Sequence, residues 1–277
     1  MMETSTLLST IKDFVGNEME VTVQSVQRGN VDLTGISIGN ESIRPIVYME
    51  SYEDLFHEQG YEAVAKDMVE TCRKAIHEAN KRNIDIDKIQ TWDYAKEHLA
   101  LCIKPARDNN DFITIPYLDL ELYFRVHATL DGTYKVTQKF LDIWNITKEE
   151  LLEAAFNAAE YTVASMRDLL MEMMGDCEEL MDSPDMKQTV ISNKDKLFGA
   201  SALFHKEILK NIAEQYKSDL YIIPSSIHEL IVLPTDAITV KEMNQMIEEV
   251  NETQVAPEDR LSDHVYIFHK DTMEIDW

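Results

Sequence analysis

The sequence predicts an α+β protein with a mostly antiparallel sheet, packed helices and a division into two lobes, residues 1–110 and 111–277. Short runs of alternating apolar and polar residues, separated by turn residues, are typical of antiparallel strands. Between these runs, apolar residues recur at helical spacing and predict amphipathic helices. The boundary is placed in the polar stretch 104–111, one of the two weakest seams in the patterning.

The first lobe is expected to combine helices with a small sheet. The predicted elements are helices over 4–14, 52–56 and 62–79, a hairpin of strands 20–26 and 31–38, and a strand over 45–49. Gly60 is expected to end the second helix. Cys72 falls on the apolar face of the third, so we interpret it as a buried residue and not a nucleophile. Thr91 is expected to cap a helix over 92–103.

The second lobe begins with the longest alternating run in the chain. Residues 113–128 predict one long, half-buried strand with His127 on its solvated face, and residues 133–138 return antiparallel to it. Capping boxes at Thr147 and Thr239 predict helices that follow them. A terminal hairpin is expected over 265–275.

Residues 188–234 hold the densest apolar patterning, so we expect them to form the architectural centre. The predicted order is a hairpin, a helix over 206–217 and a second hairpin. The first hairpin pairs strands 189–192 and 198–204, and Gly199 permits a close approach. Strands 219–223 and 230–233 are apolar on both sides, which predicts central strands covered on both faces.

Charge is the compositional outlier. The chain has 51 acidic and 26 basic residues, a formal net charge of −25. Binding to a phosphate backbone requires positive charge that displaces counterions, so direct nucleic-acid binding is not expected. The acidity indicates either a role in solubility alone or a basic partner, such as a nucleic-acid-binding protein.

Other sequence features argue against several classes of protein, including disulfide-rich, zinc-binding, cofactor-binding, secreted and membrane proteins. The three widely spaced cysteines fit neither a disulfide framework nor a zinc ribbon, and the histidines form no metal-binding motif. No phosphate-binding loop or dinucleotide-binding glycine turn is present, so no cofactor is expected. The sequence shows neither a signal peptide nor a membrane span, from which we expect a cytoplasmic protein.

The best catalytic candidates lie in the loop between the two central strands. Ser226, His228 and Glu229 place a hydroxyl, an imidazole and a carboxylate within one turn. A nucleophile needs a base within hydrogen-bond reach and a group that orients this base, a geometry that near neighbours in one turn rarely reach. The alternative is a structural turn, in which these side chains satisfy neighbouring backbone groups.

A second candidate site is the acidic, methionine-rich segment before the central stretch. Between residues 167 and 187 there are carboxylates and no cation until the final lysine. We interpret this segment either as a solvated helix face or as a partner-binding patch. The patch would comprise Glu172, Asp176, Glu178, Glu179, Asp182 and Asp185.

Several segments resemble an uncharacterised domain-of-unknown-function family of anaerobic gut Gram-positive bacteria and their mobile elements. The specific motif is DLYIIPSSIHE at residues 219–229, and residues 31–36, 45–48 and 261–266 also look like that family. The strand predicted over 113–128 is more charged than the resemblance implies. The family resemblance implies a cytoplasmic bacterial setting, and it supplies no activity and no catalytic residue.

These observations favour a non-enzymatic acidic binding protein. Its most specific form is an inhibitor or regulator of a basic, nucleic-acid-handling partner, for example a phage anti-defence protein. One alternative is an enzyme of unrecognised type with acid/base chemistry at His228 and Glu229. Another is a structural module of a larger assembly.

Overall fold

The computed structural model describes residues 2–28, 31–40, 44–81, 86–108, 110–128, 132–165, 188–235 and 238–277. The chain forms two compact units, Met1–Ile86 and Asp87–Trp277. Helices pack with antiparallel sheets, which confirms the α+β class. No helix within these ranges is long and apolar enough to cross a membrane.

The first unit contains helices and a three-stranded antiparallel sheet of order β1-β2-β3. Its elements are α1 (Thr4–Val15), β1 (Glu20–Arg28), β2 (Val31–Gly39), β3 (Ile46–Tyr48), a 3-10 turn (Met49–Tyr52) and α2 (Glu53–Lys81). These bounds confirm the predicted N-terminal helix, hairpin and third strand. The sheet and helices enclose an apolar core to which Leu7, Ile11 and Ile36 contribute.

Gly60 divides α2 into two helical parts, as predicted. Its φ of 77° lies in the left-handed region, which glycine adopts without steric cost. Cys72 lies in the second part with none of its surface exposed, which confirms the expected burial. Burial raises the pKa of the Cys72 thiol to about 11. Since the thiolate is the nucleophilic form, this cysteine is inert at neutral pH.

The division between the units falls in the short helix α3 (Ile86–Ile89), whereas the sequence placed it near residue 110. The next helix, α4 (Trp92–Ala95), begins where predicted, because the Thr91 hydroxyl accepts the Tyr94 N–H at 3.3 Å. The predicted continuation to residue 103 is wrong. Leu99–Pro105 is instead strand β4 and belongs to a sheet of the second unit.

This first sheet of the second unit has four antiparallel strands. They are β4, β5 (Thr114–Tyr117), β6 (Leu120–His127) and β7 (Thr133–Lys135), with β4 at one edge and β6 beside it. Leu101 and Ile103 contribute to the apolar core. On the opposite face, the Lys104 ammonium lies 2.5 Å from a carboxylate oxygen of Glu121. A buried ammonium needs such a partner, and the strand supplies it across the sheet.

The single strand expected over 113–128 is wrong, because the chain turns back at Leu118. Leu118 has a φ of 56°, and Tyr117 pairs with Leu120. A two-residue turn preserves the period-two alternation, so the pattern alone cannot distinguish one long strand from a hairpin. Asp119 fixes the turn, with its carboxylate oxygens 3.0 Å from His264 Nε2 and 2.8 Å from the Tyr266 hydroxyl.

Helices α5 (Gln138–Trp144) and α6 (Lys148–Ala158) follow this sheet. The sequence reasoning did not predict α5. The capping box at Thr147 is confirmed: its hydroxyl accepts the Glu150 N–H at 3.2 Å, and Glu150 accepts the Thr147 N–H at 2.7 Å. Local hydrogen bonds of this kind satisfy the free N–H groups of the first turn.

A six-stranded sheet of order β13-β12-β10-β11-β9-β8 completes the second unit. Its elements in chain order are β8 (Thr162–Ser165), β9 (Thr189–Ser192), α7 (Lys206–Tyr216), β10 (Leu220–Ser226), β11 (Glu229–Pro234), α8 (Val240–Thr253), β12 (Tyr266–Phe268) and β13 (Ile275–Asp276). Strands β10 and β11 are central, as their two-sided apolar pattern predicted. The helices over 206–217 and after Thr239 and the terminal hairpin are also confirmed.

The strand expected over 198–204 is wrong, because Gly199–Phe204 forms a 3-10 helix. Gly199 lies against the six-stranded sheet without room for a side chain. A Cβ atom there would lie 2.6 Å from Ser192 Cα and 2.7 Å from the His228 carbonyl oxygen. The close approach predicted for Gly199 is therefore present, but it attaches a helical segment and not a paired strand.

Replacing Gly199 by alanine is expected to destabilise the second unit by about 2–3 kcal/mol, because the added methyl meets backbone on several sides and cannot be relieved by a side-chain rotation. Chemical denaturation followed by tryptophan fluorescence measures this, since Trp92, Trp144 and Trp277 all lie in the second unit. An unchanged unfolding midpoint would contradict the close approach.

Candidate functional site

The predicted catalytic turn is held by hydrogen bonds within itself and to its neighbours. The Ser226 hydroxyl accepts the His228 N–H at 3.1 Å, and the Ser225 hydroxyl donates to Glu229 at 3.3 Å. The His228 carbonyl accepts the Ser192 hydroxyl at 2.8 Å. These contacts satisfy the polar groups of a tight turn between β10 and β11.

The His228 ring is fixed on both sides. Its Nδ1 accepts the Phe198 N–H at 3.2 Å, and its Nε2 lies 3.4 Å from a carboxylate oxygen of Asp259. An accepting Nδ1 leaves the proton on Nε2, where it faces Asp259. Since Ser226 bonds to the His228 backbone and not to its ring, the structure brings these residues together without a hydroxyl paired to a base.

The predicted acidic partner-binding patch lies outside the described residues. Glu172, Asp176, Glu178, Glu179, Asp182 and Asp185 all fall within 166–187. In the ranges the structure describes, no group of three or more histidine, cysteine or acidic side chains is arranged to hold a metal ion.

A cleft of about 380 Å³ lies in the second unit, beside the paired ends of β4 and β6. Five segments of the described chain line it, one of them the 3-10 helix that carries Ser201. His98 precedes β4, His127 ends β6, Tyr161 follows α6 and Asp195 lies in the turn after β9. Because these segments are distant in sequence, only the tertiary fold assembles the cleft.

Two histidines line this cleft as cross-strand neighbours. The His127 N–H donates to the His98 carbonyl at 3.0 Å. The His98 ring stacks on Tyr94 with centroids 3.9 Å apart, and its Nδ1 lies 2.8 Å from the Tyr94 carbonyl. When Nδ1 donates there, Nε2 is left as an acceptor. This Nε2 has no hydrogen-bond partner among the described residues.

Burial keeps the second histidine of the pair neutral. Desolvation lowers the pKa of His127, the Asp195 carboxylate opposes this change, and Arg125 and His98 reinforce it. The His127 ring makes no hydrogen bond to any residue in the described ranges. A neutral imidazole both donates and accepts, so His127 offers the cleft one donor and one acceptor.

The floor of the cleft is neutral and hydrogen-bonded. The buried Ser201 hydroxyl donates to the Leu101 carbonyl at 2.7 Å and lies 2.9 Å from the Tyr161 hydroxyl. Burial raises the pKa of Tyr161, which keeps the phenol protonated. Behind it, the His205 ring packs edge-on to Tyr161 at 4.8 Å between centroids, and burial lowers the pKa of His205 to about 4.

The rim is acidic. The Lys194 ammonium lies 2.5 Å from a Glu160 carboxylate oxygen, with both side chains largely exposed. Glu97 and Asp195 also line the cleft, and neither carboxylate bonds to a side chain or backbone group in the part of the chain described. The described residues of the rim therefore include three carboxylates and one ammonium, a charge balance that favours ligands that donate hydrogen bonds or carry positive charge.

Sequence reasoning missed the cleft because it assigned residues 92–103 to a helix. His98 was thereby separated from His127, which was interpreted as a solvated histidine. The alternation of Leu99, Leu101 and Ile103 was the available signal, because it predicts a strand that pairs with the alternating run around Phe124. No sequence pattern indicated that Asp195 would face the same space.

Replacing Asp195 by asparagine is expected to lower the pKa of His127 further, because the carboxylate is the group that raises it. In a proton NMR titration, wild-type His127 should titrate below 6.5, and the variant lower still. Glu248→Gln, an exposed change on α8, is the matched control and should leave His127 unaffected. An unchanged or higher His127 pKa in Asp195→Asn would contradict the geometry of the cleft.

Comparisons with known proteins identify a family without identifying an activity. The model of a family of unknown function, DUF5688, matches residues 4–270. No curated protein and no solved structure matches the chain. The match spans both compact units, so the cleft and the turn at Ser226 both lie inside the family region.

Proposed function

We propose that this chain, which belongs to the DUF5688 family of unknown function, is a non-enzymatic acidic protein that binds a basic partner. The observation that carries the proposal is the net charge of −25, from 51 acidic and 26 basic residues. A charge of this size attracts cationic surfaces over a range set by the ionic strength, and it opposes contact with a phosphate backbone.

The geometry of the predicted catalytic turn argues against acid/base catalysis there. His228 uses both ring nitrogens in contacts with Phe198 and Asp259. Ser226 is used by the backbone of the same turn. A general base must reach the proton that it abstracts, and here the imidazole is occupied by structural partners.

The most specific form of the proposal is an inhibitor or regulator of a nucleic-acid-handling protein. Such proteins present basic surfaces to phosphates, and an acidic protein can compete for the same surfaces. We place this activity in the bacterial cytoplasm, and we propose a mobile-element origin and an anti-defence role. The family resemblance of residues 219–229 supports the bacterial setting.

The test is capture of partners from a lysate of the source organism by the immobilised chain. Captured proteins are identified by mass spectrometry at about 0.1 M salt and again at about 1 M, where the Debye length falls from about 10 Å to about 3 Å. We expect basic proteins at the lower concentration and their loss at the higher one. An acidic bait of similar size and charge is the control for simple ion exchange.

The partner so identified is then purified and titrated against the chain directly. Inhibition of its nucleic-acid binding by stoichiometric amounts of the chain would support the regulatory form of the proposal. Capture of no basic protein beyond those held by the control bait, or capture that is indifferent to salt, would overturn the proposal.

A further inference from the structure

The outer edge of β4 has unused hydrogen-bonding capacity. Because the His127 N–H bonds to the His98 carbonyl, the alternation of an antiparallel pair directs residue 98 and every second residue after it toward β6. Leu99 and Leu101 therefore point their N–H and C=O groups away from β6. The Ser201 hydroxyl, which donates to the Leu101 carbonyl at 2.7 Å, lies on that outer side.

Three of these outward groups have no protein partner. The Leu99 N–H, the Leu99 C=O and the Leu101 N–H make no hydrogen bond to any residue that the structure describes. Both leucines line the cleft, and their residues are only 6% and 4% exposed. Buried backbone groups without partners are costly, and an added strand would satisfy all three at once.

Small side chains line the cleft beside the β4 edge. Ala158 and Ala159, whose side chains are the smallest that carry a Cβ atom, are among the lining residues, together with Tyr161. Helix α6 has ended by this point, and Ala159 has an extended backbone with φ −71° and ψ 123°. These residues and β4 line the cleft of about 380 Å³, and the exposed side chains of Glu160 and Lys194 lie at its rim.

The negative charge at the rim favours a ligand with basic side chains. Among the described residues that line the cleft, Glu97, Asp195 and Glu160 contribute three carboxylates, and the ammonium of Lys194 is already paired with Glu160. The neutral imidazole of His127 and the free Nε2 of His98 add acceptors for N–H donors. Lysine and arginine side chains supply such donors together with a positive charge.

We propose that this cleft receives an extended segment, containing lysine or arginine, of a partner protein, which adds as a strand to the outer edge of β4. Backbone pairing with Leu99 and Leu101 supplies affinity, and the rim carboxylates select basic side chains. The inference rests on the proposed function, because it names the place where a basic partner docks.

The test uses a capped hexapeptide probe of alternating lysine and valine, with binding measured by fluorescence anisotropy. Two derivatives carry N-methyl groups, one on all three valines and the other on all three lysines. An added strand turns the N–H groups of alternate residues toward β4, so we expect one derivative to lose about tenfold or more in affinity and the other to bind nearly as the parent does. A glutamate–valine peptide should not bind.

Charge is tested with the double variant Glu97→Gln/Asp195→Asn, which keeps the shape of the rim. We expect it to bind the lysine–valine peptide about fivefold more weakly or worse. The matched control is Glu248→Gln/Glu249→Gln, which removes two exposed carboxylates from α8 and should bind as the wild type does. Circular dichroism melting confirms that both variants are folded.

The docking inference is overturned if the peptide does not bind, if both N-methylated derivatives bind equally, or if the rim variant binds as tightly as its control. Partner capture separates this failure from failure of the proposed function. Basic proteins held equally by wild type and by the rim variant would overturn the cleft as their docking site and leave the acidic binding role standing. Absence of basic proteins on the wild type would overturn the binding role itself.

Discussion

The backbone of Gly199 lies so close to Ser192 and to the carbonyl of His228 that no side chain fits between them. This contact fixes the 3-10 helix of residues 199–204 against the six-stranded sheet. The helix in turn places the Ser201 hydroxyl on the Leu101 carbonyl, at the edge of the four-stranded sheet. One close approach thus positions an element that bridges the two sheets of the second unit, and it sets the floor of the cleft. The turn around His228 also helps to hold this contact, because the His228 ring accepts the N–H of Phe198, the residue immediately before Gly199.

Sequence patterns predicted the elements whose cause is local. The capping boxes at Thr147 and Thr239, the break at Gly60 and the two-sided apolar strands β10 and β11 all depend on neighbouring residues. The errors arose where tertiary contacts decide. Thr91 does cap a helix, but residues 99–105 form a strand whose Leu101 and Ile103 enter the core and whose Lys104 pairs with Glu121 across the sheet. Residues 198–204 carry a strand-like apolar run, yet residues 199–204 form a 3-10 helix that packs closely against the six-stranded sheet at Gly199.

The two candidate sites also differ in whether local sequence or tertiary contacts bring their residues together. The sequence singled out Ser226, His228 and Glu229 because they are adjacent, and adjacency makes them satisfy one another within a turn. The cleft is assembled from segments near residues 98, 127, 160, 195 and 201, and no linear motif links them. Its most informative feature is a property of the backbone, the outer edge of β4, where three groups bond to no described residue, and sequence reasoning cannot locate this edge until the pairing of β4 with β6 is known.

In our proposal the acidic chain recognises basic, extended segments at the β4 edge beside the acidic rim, which links the overall charge to one place in the fold. That claim depends first on the β4 edge being open in the free protein. Amide hydrogen exchange, resolved by residue with NMR, tests it directly. The amides of Leu99 and Leu101 should exchange much faster than those of Ala100 and Cys102, which bond to β6. Equal protection of all four amides would show that another part of the chain already covers the edge, and it would contradict the account.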